Sequence, residues 1–147
     1  MPLLSPADQE KLRESFDEMT SPVRVLFFTQ TLDCDPCVQT RQILDELPPL
    51  SDKIAIEEVN FILEKEKAAQ YGIDRVPAMA LLSTDAAGAT RDSRIRFLGT
   101  PAGYEFVSLV QALLLVGGHD SQLTPENRAR VAAVSTPTTI QVFSTPT

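Results

Sequence analysis

Cys34 and Cys37 are the two cysteines of the chain, and Asp35 and Pro36 separate them. A dithiol at this spacing can pass two electrons. One sulfur attacks a partner's disulfide, and the other attacks the resulting mixed disulfide and frees the partner reduced. The attacking species is a thiolate. A thiolate is favoured where unpaired backbone N–H groups and the positive end of a helix dipole converge. Upstream of Cys34 the apolar run Val23 and Val25–Phe28 reads as a buried strand. Downstream, Cys37, Leu44 and Leu47 fall on one helical face with Ile43 beside them. The motif therefore reads as strand, short loop, Cys-x-x-Cys, helix, with Cys34 at the helix start and Cys37 one turn on. Pro36 fits a first helical turn, where its missing N–H has no partner in any case. Two other readings compete: an inert structural disulfide, and a zinc site. A closed zinc site takes four ligands, and besides the two cysteines the chain has only the distant His119, so zinc would have to be shared across a dimer.

The 147 residues suffice for one domain with an appendage, and 43% apolar content supports a packed core. A net charge of −7 leaves no electrostatic footprint for nucleic acid or an anionic membrane. The first residues lack the basic and apolar regions of a signal peptide, and no apolar run approaches the ~20 residues a spanning helix needs. These features point to a cytoplasmic protein, where a lone Cys-x-x-Cys is more often catalytic than structural.

Several elements must position the dithiol. Ser5, Pro6 and Asp8 open a helix in a capping-box-like arrangement that runs to about Met19. The Val23–Phe28 strand is apolar on both faces and belongs in mid-sheet. The cysteine helix should end at Leu47, before Pro48 and Pro49. Ile54–Val59 is a more polar strand suited to an edge. A short helix covers about Leu63–Tyr71, closed by Gly72 in the left-handed conformation. Met79–Ser83 is a strand, Thr84–Ser93 a long hairpin loop, and Ile95–Leu98 the fourth strand. Tyr104–Val116 is an amphipathic helix ended by Gly117 and Gly118, with His119 exposed in the loop beyond. The order is α, β, α, β, α, β, β, α. It implies an α/β fold with a mixed four-stranded sheet, two parallel strands plus an antiparallel hairpin, and helices on both faces. After Gly118, Thr124 caps a short helix running to about Val134, and Ile140–Phe143 reads as a strand with no partner.

This order, with Cys-x-x-Cys at the first strand–helix junction, resembles the thioredoxin fold. Asp74-Arg75-Val76-Pro77-Ala78 stands just before the third strand, where thioredoxin-like proteins carry a cis-proline facing the dithiol. Lys65–Ala68, Tyr71–Ala78, Ile95–Gly99 and Pro101–Phe106 are similar to the N-terminal unit of the glutaredoxin-like protein disulfide oxidoreductases of thermophiles, which join two thioredoxin-fold units in tandem.

The resemblance implies a thiol–disulfide oxidoreductase module with Cys34 as nucleophile and Cys37 as resolving thiol. Asp35, Pro36, Val76, Pro77 and Gly99 would line a partner groove, with Gly99 leaving room beside Pro77. Such a groove binds an extended partner segment by strand addition along Val76. The implied partners are protein disulfides and a thioredoxin reductase-like electron donor, and no cofactor is expected beyond the Cys34–Cys37 disulfide. A non-catalytic unit that docks partners in the same groove is the alternative. The implied organisation is a thioredoxin-like domain over 1–118, a linker with a short helix over 119–138, and the first strand of a second unit over 139–147.

The sequence departs from these families at three places. Thioredoxins carry an aromatic residue and a glycine around the first cysteine, whereas here Leu32 and Asp33 precede Cys34. Phe28 stands where thioredoxins keep a buried acid, leaving water or a carboxylate such as Glu57 to carry the Cys37 proton. Thr31 and Thr100 stand where glutaredoxins place charged residues that hold glutathione.

Overall fold

The computed structural model describes residues 2–145. Helix α1 is Pro6–Asp17, β1 is Val23–Thr29, α2 is Asp35–Asp45, β2 is Ile54–Asn60, α3 is Lys65–Gln70, β3 is Ala78–Thr84, β4 is Thr90–Leu98, α4 is Tyr104–Val116 and α5 is Pro125–Ala132. The sheet order is β2-β1-β3-β4. β1 and β2 are parallel, and β3 is antiparallel to both β1 and β4. The mixed sheet, the central β1 and the edge position of β2 match the sequence reading.

Alternation along β1 sends side chains into two cores. Val23, Val25 and Phe27 join Met79 and Leu81 beneath α1, α2 and α4, where Phe16, Leu44, Leu47, Leu109 and Leu113 pack on them. Leu26 and Phe28 join Ala78, Ala80 and Leu82 on the other face, which Ala68 of α3 and Ile73 just beyond it cover. Burial on both faces is what an apolar run without alternation predicts.

Capping agrees with the sequence at both outer helices. Asp8 N–H donates to Ser5 Oγ at 3.2 Å and Asn127 N–H to Thr124 Oγ1 at 3.2 Å. Gly72 takes φ +67°, as its position after α3 requires.

The elements differ from expectation in four places. α1 ends at Asp17, because Glu18 and Met19 turn back onto Ser15 and Phe16 carbonyls. α2 ends at Asp45, and a single 3₁₀ turn over Pro48–Leu50 follows. β4 starts at Thr90, so the hairpin loop is far shorter than the polar run Thr84–Ser93 suggests. That run is polar because it lies on an exposed edge, and backbone pairing extends through it as far as Thr84 with Thr90. A bulge interrupts the pairing opposite Leu81: Arg94 has φ +65°, and Ser93 Oγ donates to the Leu81 carbonyl that the ladder leaves free, at 2.6 Å. Finally, Ile140–Phe143 forms no strand. Ile140, Val142 and Phe143 are 84, 85 and 89% exposed, because no sheet edge within the described residues takes them up. Pro146 and Thr147, at the end of the segment assigned to a second unit, lie outside the described residues. No helix among the described residues is long and apolar enough to cross a membrane.

Arg96 fastens β4 to α3. Its guanidinium donates to both Asp92 carboxylate oxygens at 2.8 and 2.7 Å and to the Tyr71 carbonyl at 3.0 Å, and lies 5.6 Å from the Tyr71 ring centre. Tyr71 in turn packs on Phe28, with ring centres 6.2 Å apart. The Arg96 hydrogen bond holds the Asp92 carboxyl below the usual carboxylate range, assisted by the Arg94 N–H and opposed by partial burial. Arg96→Met should cost about 1–3 kcal/mol in denaturant unfolding. A carboxyl whose folded pKa is depressed stabilises above its unfolded pKa and loses that contribution as pH falls through the folded value. The gap between wild type and variant should therefore hold at neutral pH and narrow below about pH 4.

Candidate redox site

Cys34 and Cys37 form a disulfide with Cα atoms 5.3 Å apart. Cys34 is the N-cap of α2, and Pro36 sits at its second position. The Cys37 N–H donates to the Cys34 carbonyl at 3.1 Å, closing the first turn over the sulfur pair. Cys34 keeps 8% of its surface exposed and Cys37 2%. The more accessible cysteine is therefore the one at the helix start, where N–H groups and dipole favour a thiolate.

Two segments meet at the Pro36 carbonyl. Thr40 Oγ1 donates to it at 2.8 Å, and Thr100 Oγ1, from the β4–α4 loop, lies 3.3 Å from the same oxygen. The two hydroxyls are 2.9 Å apart. Two protons cannot serve three contacts fully, so the shortest set has Thr40 donating to Pro36 and Thr100 donating to Thr40. Thr40 is one of only two buried polar residues among those described, the other being Thr29. The residue beside Thr100 extends the connection: Gly99 N–H donates to the Pro77 carbonyl at 2.9 Å. The Val76–Pro77 peptide is cis. Ala78, next along, pairs with Phe28 on one side and Leu98 on the other. The fold thus gathers at one end of the sheet the residues the sequence singled out, Cys34, Asp35, Pro36, Cys37, Val76, Pro77 and Gly99. Asp35 and Pro36 are exposed, Val76 is half-buried and Pro77 is buried.

Gly99 has a backbone reason for being glycine. A Cβ there would meet no atom within 4 Å, whereas its φ of +97° excludes most side chains. Backbone conformation, and no crowding within the chain itself, accounts for glycine here.

Glu57 does not serve the dithiol in this arrangement. It stands opposite Leu26 in mid-strand, on the face covered by α3. There its carboxylate is bound by Lys67 and, at 3.4 Å, by Arg24. Phe28 is fully buried, so no acid lies at that position. His119 is paired with Glu18 at 3.1 Å. Sequence reasoning missed Thr40, whose only signal was a hydroxyl on an otherwise apolar helix face.

No family model matches the chain. It is 32% identical over 119 residues to the alkyl hydroperoxide reductase AhpF of Xanthomonas campestris pv. phaseoli, covering 79% of this chain and 19% of that protein. A probable thioredoxin of Methanothermobacter thermautotrophicus is 28% identical over 78 residues, covering 52% of this chain and 80% of that protein. Among solved structures, the NTD_N/C domain of alkylhydroperoxide reductase AhpF from Enterococcus faecalis superposes with a TM-score of 0.78 at 28% identity, over 88% of this chain and 60% of that one. A protein disulfide oxidoreductase from Aeropyrum pernix gives a TM-score of 0.72 over 88% of this chain and 54% of that one; at 21% identity it speaks for the fold alone.

The fold and the Cys34–Cys37 disulfide define a thioredoxin-fold domain of the thiol–disulfide oxidoreductase class. Within that class it is related to the N-terminal domain of AhpF, and it spans about a fifth of the length of the AhpF reductases it matches.

Thr40→Val keeps the side-chain shape and removes the hydroxyl shared by Pro36 and Thr100. It should lower unfolding stability by about 1–2 kcal/mol, with Thr40→Ser retaining most of it. Guanidinium titrations of the oxidised forms measure both.

Proposed function

We propose that this chain is the redox unit of a larger protein that exchanges electrons with protein disulfides, with Cys34 as nucleophile and Cys37 as resolving thiol. The observation that carries this reading is the disulfide at the start of α2, directly linked through Pro36, Thr100 and Gly99 to the Val76–Pro77 loop. In the forward reaction, the Cys34 thiolate attacks a substrate disulfide and Cys37 displaces the product. Oxidised protein would then be reduced by a flavin- or dithiol-bearing partner of the thioredoxin reductase kind. An extended partner segment would lie against Val76 and Pro77, with Asp35, Pro36 and Gly99 at its flanks. The likeness to the AhpF reductases supports a role as electron carrier for a neighbouring domain or protein.

The segment over 139–147 supports a second part of this reading. Ile140, Val142 and Phe143 form an apolar, strand-like pattern left in solvent. Such a segment suits the first strand of a second thioredoxin-like unit, with 119–138 as linker. The native reading frame tests it: a further Cys-x-x-Cys soon after Thr147 supports a tandem protein, and a stop codon there contradicts it.

Wild type should accelerate insulin reduction by dithiothreitol, and Cys34→Ser should fall to the rate of dithiothreitol alone. Equal activity of the two would remove catalysis and leave a docking domain.

A further inference from the structure

The charges around the dithiol are lopsided. Asp33 and Asp35 bracket Cys34, and both are exposed. Among the described residues neither side chain has an ion-pair partner, whereas Arg41 and Arg75, on segments that reach the site, are engaged. Arg41, on α2, is bound to Glu58 at 2.6 Å. Arg75, in the loop before Val76, is held by both oxygens of Asp74 at 2.8 and 3.1 Å. At the same end of the sheet Lys65 opens α3 between Glu64 and Glu66, and Glu105 lies in the first turn of α4. Thr31 and Thr100, the two hydroxyl residues flanking the site, bring no charge. Asp33 takes the left-handed conformation, with φ of +57°.

A thiolate flanked by two free carboxylates attracts a disulfide that carries positive charge and repels one that carries negative charge. We infer that the preferred substrates of this site are disulfides flanked by cationic groups, such as lysine- or arginine-bearing peptide segments, with Asp33 and Asp35 setting the preference. The inference rests on the thiol–disulfide reading above and specifies its substrate class.

The step is ordinary exchange. The Cys34 thiolate attacks one sulfur of R–S–S–R, the R–S–S–R bond breaks, and one RS⁻ leaves. Cys37 gives its proton to water and attacks Cys34 Sγ, which re-forms the Cys34–Cys37 bond and expels the second RS⁻. Two electrons pass from the protein dithiol to the substrate disulfide.

The test uses the full chain, reduced with dithiothreitol and freed of it. Rates are measured with cystamine (cationic), 2-hydroxyethyl disulfide (neutral) and 3,3′-dithiodipropionate (anionic). Each is divided by the rate of the neutral thiol N-acetylcysteine amide with the same disulfide, which removes intrinsic leaving-group differences. Unit charges several ångströms apart near the surface should give a normalised cationic-to-anionic ratio of about tenfold at low salt. The ratio should fall to about twofold near 1 M salt, where the Debye length is ~3 Å. In Asp33→Asn/Asp35→Asn it should fall below about threefold at low salt, and Asn tolerates the left-handed φ at 33. A wild-type ratio near one, with the neutral disulfide still reduced, overturns the charge preference and leaves the oxidoreductase reading standing. A ratio unchanged in the double variant overturns the assignment to Asp33 and Asp35. Failure to reduce the neutral disulfide faster than Cys34→Ser overturns the underlying function as well.

Discussion

The Pro36 carbonyl is where the dithiol is tied to the rest of the molecule. A carbonyl in a first helical turn already accepts an N–H from the next turn, and here two threonine hydroxyls also close on it, one from α2 and one from the loop before α4. That contact sets how the first turn of α2 stands against Gly99, and Gly99 in turn holds Pro77. The buried Thr40 hydroxyl donates to Pro36 within its own helix, and Thr100 adds the link from the loop by pairing with it. The sheet supplies that arrangement. Ala78 is paired with Phe28 and with Leu98, so the ends of β1, β3 and β4 come together below the site.

Asymmetry between the two sulfurs follows from the same placement. Cys34 lies outside the helix as its cap, and Cys37 lies inside, against the protein. The proposed nucleophile is thus the less buried of the two cysteines. The order of attack proposed above follows this difference in burial. Glu57, which could have stood in for an acid at the Phe28 position, is committed to Lys67 and Arg24.

Much of this was legible in the sequence because the relevant signals are local. The unalternating run in β1, the cysteine spacing, Pro77 before a strand and the caps at Ser5 and Thr124 each carry their own physical cause. What stayed illegible depends on distant partners. The start of β4 looks like a loop because Thr90–Arg94 are polar, and only their pairing with β3 makes them a strand. Thr40 and Thr100 are 60 residues apart, and neither indicates the other. The apolar tail Ile140–Phe143 has strand-like composition, but composition cannot provide a neighbouring strand.

In the proposed exchange Cys34 attacks and Cys37 resolves. Intact-mass analysis of the two single-cysteine variants, reduced and then exposed briefly to a small neutral disulfide, tests it most directly. Cys37→Ser, which keeps Cys34, should accumulate a one-to-one mixed disulfide rapidly. Cys34→Ser, which keeps the buried Cys37, should react far more slowly. Equal rates, or faster reaction of Cys34→Ser, would contradict the account.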